Sequence, residues 1–404
     1  MSAPDALRVV VATFGRSDFA ILRPLCSLLQ SDPGFDFGLF VAGAHFEDVS
    51  GGTVSDIEAS GLPVWARLDC GVYDRSEGGT ARVMSAHMSG LADILDEVGA
   101  GNTPDLMIVL GDRFEAAATG LACVALGLPV AHISGGSITE GAIDDTFRHC
   151  LTKVGVLHFC DLPEFAQRIH RMGERTDRIV TTGALGLDAF VAAPTRSLDD
   201  LADRFDLTGI RPGYLLVTVH PESRSPQETG PLIRAVIEAV TADPDGRDVV
   251  FTYPNADPGS DEIVAALEAL RTREHVFVVR SFGADWFPTA MRHAGVLVGN
   301  SSGGIIEAAS FGLPVVDVGD RQKGRNAGPN VVHCARDRAS IAAAVRDVSE
   351  PRFAGRVSDN IYGDGRGAER VMHTLRTVEP STLRTPKPFA PYDPSFTGDM
   401  LELP

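Results

Sequence analysis

Short apolar, β-branched runs alternate with longer amphipathic stretches from one end of the chain to the other, and that alternation leaves few folds open. A strand of Val, Ile and Leu with no polar alternation must be buried on both faces, as in a parallel sheet covered by helices on each side. The strands expected in the N-terminal half are Arg8–Ala12, Phe37–Val41, Leu106–Leu110, Pro129–Ile133 and Arg178–Thr181. Those of the C-terminal half are Tyr214–Val219, Asp248–Tyr253, Val276–Val279, Val296–Val298 and Leu313–Val318. Between the halves, Ala193–Pro212 is polar and broken by Pro194 and Pro212, which marks a domain boundary. The class is therefore α/β. At 404 residues the chain suits two domains of roughly 150 to 200 residues each.

The halves share a local design. Leu110-Gly111-Asp112 is followed by a helix and Gly127-Leu128-Pro129-Val130, and Val298-Gly299-Asn300 by a helix and Gly312-Leu313-Pro314-Val315. Each is strand, polar turn, helix and a second strand. The segment after Pro380 is rich in proline and lacks periodicity, which fits an extended arm or a disordered tail.

Composition excludes several function classes. A net charge of −18 repels nucleic acid, so no nucleic-acid partner is expected. No apolar run approaches the roughly 20 residues that span a bilayer, and the N-terminus shows no export signal, so a cytoplasmic protein without a membrane partner is expected. The six cysteines are irregularly spaced without a CxxC pair, which reads as reduced thiols with neither a disulfide framework nor a metal site. Signatures of P-loop nucleotidases, HExxH metalloproteases and GxSxG hydrolases are missing.

In open α/β sheets ligands sit beyond the carboxyl ends of the strands, so polar residues directly after strands are the candidates for chemistry. After the first strand come Arg16 and Asp18; the backbone N–H groups of that helix start and the Arg16 guanidinium suit a phosphate, and a helix cap by Ser17 or Asp18 explains the same residues. Asp112, Arg113 and Glu115 follow the most apolar strand of the first half, and again a helix cap with its ion pair is the alternative. The richest stretch runs from His132 through Ser134, two glycines, Ser137 and Glu140 to Asp144, Arg148 and His149. Glycines there permit close backbone approach, and the carboxylates and His supply acid–base groups. Asp144 as a cap and His149 as a packed residue remain open. In the second half, His220 and Asn255 end strands. Asn300-Ser301-Ser302 opens a helix containing Glu307, and Arg321 lies in a cationic loop; small hydroxyls and glycines at a helix start can cradle phosphate.

Taken in order, these motifs resemble the hydrolysing UDP-N-acetylglucosamine 2-epimerases of sialic- and legionaminic-acid-type pathways. The resemblance spans about residues 8 to 376 and is carried by GDRFE at Gly111–Glu115, HISGGSITEGAIDDTFRH at His132–His149, YPNAD at Tyr253–Asp257, GNSSGGIIEAASFG at Gly299–Gly312 and GDRQKGR at Gly319–Arg325. It implies a glycosyltransferase-B-like fold, two Rossmann-like domains facing a central cleft. The corresponding divisions are 1–192, a linker at 193–212, 213–365, a helix at 366–379 crossing back to the first domain, and the tail 380–404. It implies Arg16, Arg113, His220, Asn255, Ser301, Ser302, Glu307 and Arg321 around nucleotide and diphosphate, with Asp112 and Asp144 at the sugar of a UDP-amino sugar such as UDP-N-acetylglucosamine or UDP-diacetylbacillosamine. No cofactor and no metal are implied, and a homodimer or homotetramer is. The rival functions are a non-hydrolysing nucleotide-sugar 2-epimerase, a glycosyltransferase on the same fold, and a catalytically altered nucleotide-sugar binding protein. Two departures stand out. Phe14 replaces a small residue, which would alter the floor of the site. Ser134 and Ser137 stand where that branch has acids, so either Glu140 takes over as the assisting carboxylate or the substrate differs and the mechanism is redistributed.

Overall fold

The computed structural model describes residues 6–46, 53–71, 78–139, 143–221, 226–242, 246–254, 259–354, 359–383 and 387–404. The chain divides into two compact units, Met1–Ala189 with Gly365–Pro404, and Phe190–Asp364. The first contains strands β1 (Leu7–Thr13), β2 (Phe35–Ala42), β3 (Val64–Leu68), β4 (Leu106–Leu110), β5 (Val130–Ile133), β6 (Leu157–Cys160) and β7 (Ile179–Thr181). The second contains β8 (Tyr214–Thr218), β9 (Val249–Thr252), β10 (Val276–Val279), β11 (Ala294–Gly299), β12 (Val315–Val318) and β13 (Val331–Cys334).

Both sheets are parallel, in the orders β3-β2-β1-β4-β5-β6-β7 and β10-β9-β8-β11-β12-β13. Each therefore reverses direction once, between β1 and β4 and between β8 and β11, the Rossmann arrangement. Period-two alternation sends Val9 and Val11 to one face of the first sheet and Val10 and Ala12 to the other, and each face has its own apolar cluster. The second sheet is buried on both faces in the same way.

The repeated Gly-Leu-Pro-Val acquires a physical meaning in these sheets. Gly127 and Gly312 take positive φ at helix ends, and Leu128 N–H and Leu313 N–H bond back to the carbonyls of Cys123 (2.8 Å) and Ala308 (3.1 Å). Each motif closes a helix and launches the strand that follows across the reversal, β5 and β12 respectively.

Phe19, Leu22, Leu25, Cys26 and Leu29 form the buried stripe of helix Arg16–Ser31. Val371, Met372 and Leu375 of helix Gly367–Thr377 join the same cluster, so the chain ends by crossing back to the first unit. Asp188 fixes that return: its carboxylate accepts the N–H groups of Gly367 (2.9 Å) and Ala368 (2.6 Å). The proline-rich tail is an extended arm bound to this unit. Lys387 donates to the carbonyls of Thr152, Lys153 and Gly155 and pairs with Glu174 at 2.6 Å, while Tyr392 stacks on His170.

The polar stretch at 193–212 is no free linker. It holds helix Leu198–Phe205, capped by Ser197 and Asp200 in a capping box, with Leu201 buried in the second unit. Its polar residues are a helix surface. All six cysteines are free thiols. No described helix is long and apolar enough to cross a membrane.

Candidate active site

In the first unit the strand-end groups gather around one buried cation. Arg148 lies on helix Ile143–Val154, with its side chain 5% exposed. It donates to Asp112 at the end of β4, to Asp145 at 3.0 Å, to the Thr139 hydroxyl at 3.0 Å and to the Ser137 carbonyl at 3.1 Å. Asp145 also accepts the Thr139 N–H at 2.8 Å and lies 3.5 Å from His149. One guanidinium thus ties the turn after β4, the loop after β5 and the helix behind it. Asp144 is half-buried. Burial pushes its carboxyl above the usual range, and the charge of Asp112 pushes in the same direction.

A second cation stands one residue from Asp112. Arg113 pairs with the fully buried Glu115 at 2.5 Å and with Asp18 at 3.8 Å. Neither Asp18 nor Asp112 caps a helix: the residues at the helix starts are Gly15 and Arg113, without side-chain capping bonds. Burial raises the Asp18 carboxyl, opposed by Arg113. Arg16 is exposed at the first turn. Glu115 faces Arg113, which makes it the support of that cation.

His132 is wholly buried, and its Nε2 donates to the Gly111 carbonyl at 2.7 Å. Burial brings its ring down to about 3, so it is a neutral strut under the Asp112 turn. Phe14 does not form a floor for the site. It is buried in the apolar cluster, edge-on to Phe40, because it points to the same sheet face as Val10 and Ala12. Ser134 sits in the left-handed region at φ 61°, its hydroxyl donating to Asp161 at 2.9 Å, and Ser137 offers its carbonyl to Arg148.

In the second unit the order reversal is clasped by Asn300. Its Oδ1 accepts from His220 N–H at 2.7 Å and its Nδ2 donates to the His220 carbonyl at 2.9 Å. The Asn300 carbonyl accepts from Arg321 at 3.0 Å and from Gln322 at 2.9 Å. Asn300 was expected to touch ligand, but both ends of its fully buried amide are spent on backbone, so it sets the geometry of His220 instead. Gly299 precedes it at φ 145°, where a Cβ would lie 1.9 Å from the Thr218 carbonyl, so glycine alone fits this crossing. Ser301 caps helix Ser302–Ile306 by accepting the Gly303 N–H at 3.3 Å. Glu307 closes that turn with Oε2 buried and without a hydrogen-bond partner among the described residues, and burial pushes its carboxyl up to about 7.

The structure therefore brings Asp112, Asp144, Arg148 and His149 together, and Asp18, Arg113 and Glu115 beside them. Separately, in the second unit, it brings His220, Asn300 and Arg321 together, with Ser301 following Asn300 directly. Glu140 and Asn255 lie outside the described residues. Asp145, Thr139 and Asp161 were not singled out from the sequence. Asp145 and Thr139 lie inside a motif already quoted, whereas Asp161 follows an unexpected strand.

Asp18 and Asp112 in the first unit, and His220 and Asn300 in the second, follow the strands on either side of a reversal in strand order, the usual ligand position of doubly wound sheets. Known proteins share this plan. The crystal structure of a Neisseria meningitidis UDP-GlcNAc 2-epimerase bound to UDP-GlcNAc superposes with a TM-score of 0.75 at 18% identity, over 92% of this chain and 100% of that one. A Legionella pneumophila UDP-N,N'-diacetylbacillosamine 2-epimerase (hydrolyzing) is 28% identical over 92% of this chain and 96% of its own. A Neisseria meningitidis UDP-N-acetylglucosamine 2-epimerase is 26% identical over 84% and 86%. The family model for UDP-N-acetylglucosamine 2-epimerase matches residues 27–376, and the chain belongs to that family of enzymes.

Proposed function

We propose that the protein is a hydrolysing 2-epimerase of a UDP-amino sugar, releasing UDP and the free 2-epimeric sugar. The observation that carries this reading is the Asp112–Arg148–Asp145 network with Asp144 beside it: two carboxylates with different surroundings at one strand end. Both the Legionella relative and a Campylobacter jejuni relative, 26% identical over 80% of this chain, carry "hydrolyzing" in their names.

The chemistry explains why such groups are needed. The hydrogen on carbon 2 of an amino sugar is unactivated and becomes labile only as the anomeric C–O bond breaks. Stabilisation of the departing diphosphate must therefore rise in the transition state. His220, Ser301, Ser302 and Arg321 of the second unit are assigned to that charge, and Glu307 to the nucleotide. A carboxylate takes the proton from carbon 2 as UDP leaves, giving a glycal. Water then adds at carbon 1 and a proton returns to the opposite face of carbon 2. Inversion requires two proton-carrying positions, and Asp112 and Asp144 are assigned to them. Arg148 holds Asp112 in place. The raised carboxyl of Asp144 suits a group that must both release and accept a proton.

Product analysis separates this from its rivals. Incubation with UDP-N-acetylglucosamine and with UDP-diacetylbacillosamine, followed by proton NMR, yields UDP and free 2-epimeric sugar from one or both. A nucleotide-linked epimer, release that requires an acceptor, or no product from either donor contradicts it.

A further inference from the structure

Three non-glycine residues among those described have positive φ: Ser134, Asp206 and His275. Asp206 ends a helix and His275 lies in the turn before β10, both ordinary places for that conformation. Ser134 differs, because it follows β5 directly, within the loop whose far side Arg148 holds. A left-handed serine is strained and persists where surrounding contacts fix it. Those contacts are visible. Ser134 N–H donates to the Phe159 carbonyl at 2.7 Å, and its hydroxyl donates to Asp161 Oδ1 at 2.9 Å.

The neighbouring glycines lock the arrangement. A Cβ at Gly135 would lie 2.9 Å from the His132 ring, and one at Gly136 would lie 2.5 Å from the Phe165 carbonyl. Arg168 donates to the Gly136 carbonyl. The loop cannot slide along the sheet without breaking these contacts, so the direction of the Ser134 hydroxyl is set.

Asp161 lies one place before the N-cap of the next helix. The residue at the start of helix Pro163–Arg171 is Leu162, without a side-chain capping bond. Asp161 instead stands at the carboxyl end of β6, next to β5, as Asp112 stands at the end of β4 on the other side. Three consecutive strand ends in space thus carry Asp112, Ser134 and Asp161.

We infer that Asp161 is a positioning residue for the sugar site, acting through Ser134; this rests on the epimerase reading above. With its hydrogen committed to a carboxylate, the Ser134 oxygen presents lone pairs only, and the adjacent charge makes it a stronger acceptor. It then selects a sugar group that donates, an N–H or O–H, and delivers to that place the negative potential that serine alone lacks. No bond is made or broken at Asp161, and no proton need leave it.

The experiment measures kcat and KM for free-sugar release from the better UDP-amino sugar, with UDP affinity measured beside them, in wild type, Asp161→Ala, Asp161→Glu, Ser134→Ala and the double alanine variant. Asp161→Ala should lower kcat/KM by roughly tenfold or more while UDP affinity and melting temperature stay unchanged. Asp161→Glu should recover part of that loss. The double variant should be no worse than Ser134→Ala, since both act at one point. Wild-type release of free sugar tests the epimerase reading by itself. With that release observed, a stably folded Asp161→Ala at wild-type kcat/KM, or losses from Ser134 and Asp161 that simply multiply, overturns the role of Asp161 alone. A fall in UDP affinity matching the fall in kcat/KM also overturns it, because the effect would then not be confined to the sugar.

Discussion

Replacing Glu307 by Gln should stabilise the ligand-free protein, and only at higher pH. Its carboxyl is raised from an ordinary 4.5 to about 7 by burial, with a backbone hydrogen bond and then the charge of Arg325 pulling the other way. A folded-state value above the unfolded one means that between pH 4.5 and 7 the native protein holds a proton that the unfolded chain has lost. Stability falls across that window at about 1.4 kcal/mol per pH unit. The full span would give roughly 3 kcal/mol, and because the residue is partly exposed the working figure is about 2 kcal/mol. Glu307→Gln removes the titration, so its advantage should be near zero below pH 4.5 and complete above pH 7. The assay is urea unfolding at several pH values, followed by the fluorescence of Trp286, which belongs to the same unit; a Trp65→Phe background silences the other tryptophan. The same substitution should weaken UDP binding, because the proposed function uses this carboxylate on the nucleotide. Parallel pH profiles for wild type and Glu307→Gln would show that Glu307 takes up no extra proton on folding.

The remaining predictions concern the first unit and its tail. Burial raises the Glu174 carboxyl, but hydrogen bonds from His158, Lys153 and Lys387 outweigh that and bring it down to about 2. Its contribution is therefore complete above the ordinary 4.5 and lost as pH falls from there toward 2, and Glu174→Gln should flatten that part of an acid-unfolding curve. Lys387→Met, which removes one of those partners and three carbonyl contacts, should cost about 2 kcal/mol in urea unfolding followed by Trp65. Asp188→Ala strips the acceptor from the first N–H groups of the returning helix and should cost about 1 to 2 kcal/mol in the same assay.

Much of the fold was legible because its signals are local. Continuous apolar runs such as Leu106–Leu110 can only be doubly buried strands, and all ten expected strands are present within a residue or two at most ends. Three others, β3, β6 and β13, were not visible in the sequence. Trp65 and Arg67 interrupt β3 at a sheet edge, His333 interrupts β13 at the other sheet's edge, and β6 is only four residues long with His158 inside it. Asp161 was lost with β6, since a carboxylate before Leu-Pro reads as a helix start unless the strand ahead of it is seen. The roles within the site were legible in part. Strand-end position identified Asp112 and Arg113, but Arg148 as the hub, Asn300 as a clasp and Phe14 as core depend on where side chains point across long sequence separations. The 193–212 stretch misled because a short polar helix and a linker have the same composition.

In the proposed reaction carbon 2 exchanges its proton while the anomeric bond breaks. Turnover of the UDP-amino sugar in D₂O, with the products resolved by NMR, tests it most directly. Free 2-epimeric sugar carrying one deuterium at carbon 2 is expected, as is loss of that product in Asp112→Asn and Asp144→Asn. Free sugar with its original hydrogen retained at carbon 2, or undiminished labelling in both variants, would contradict it.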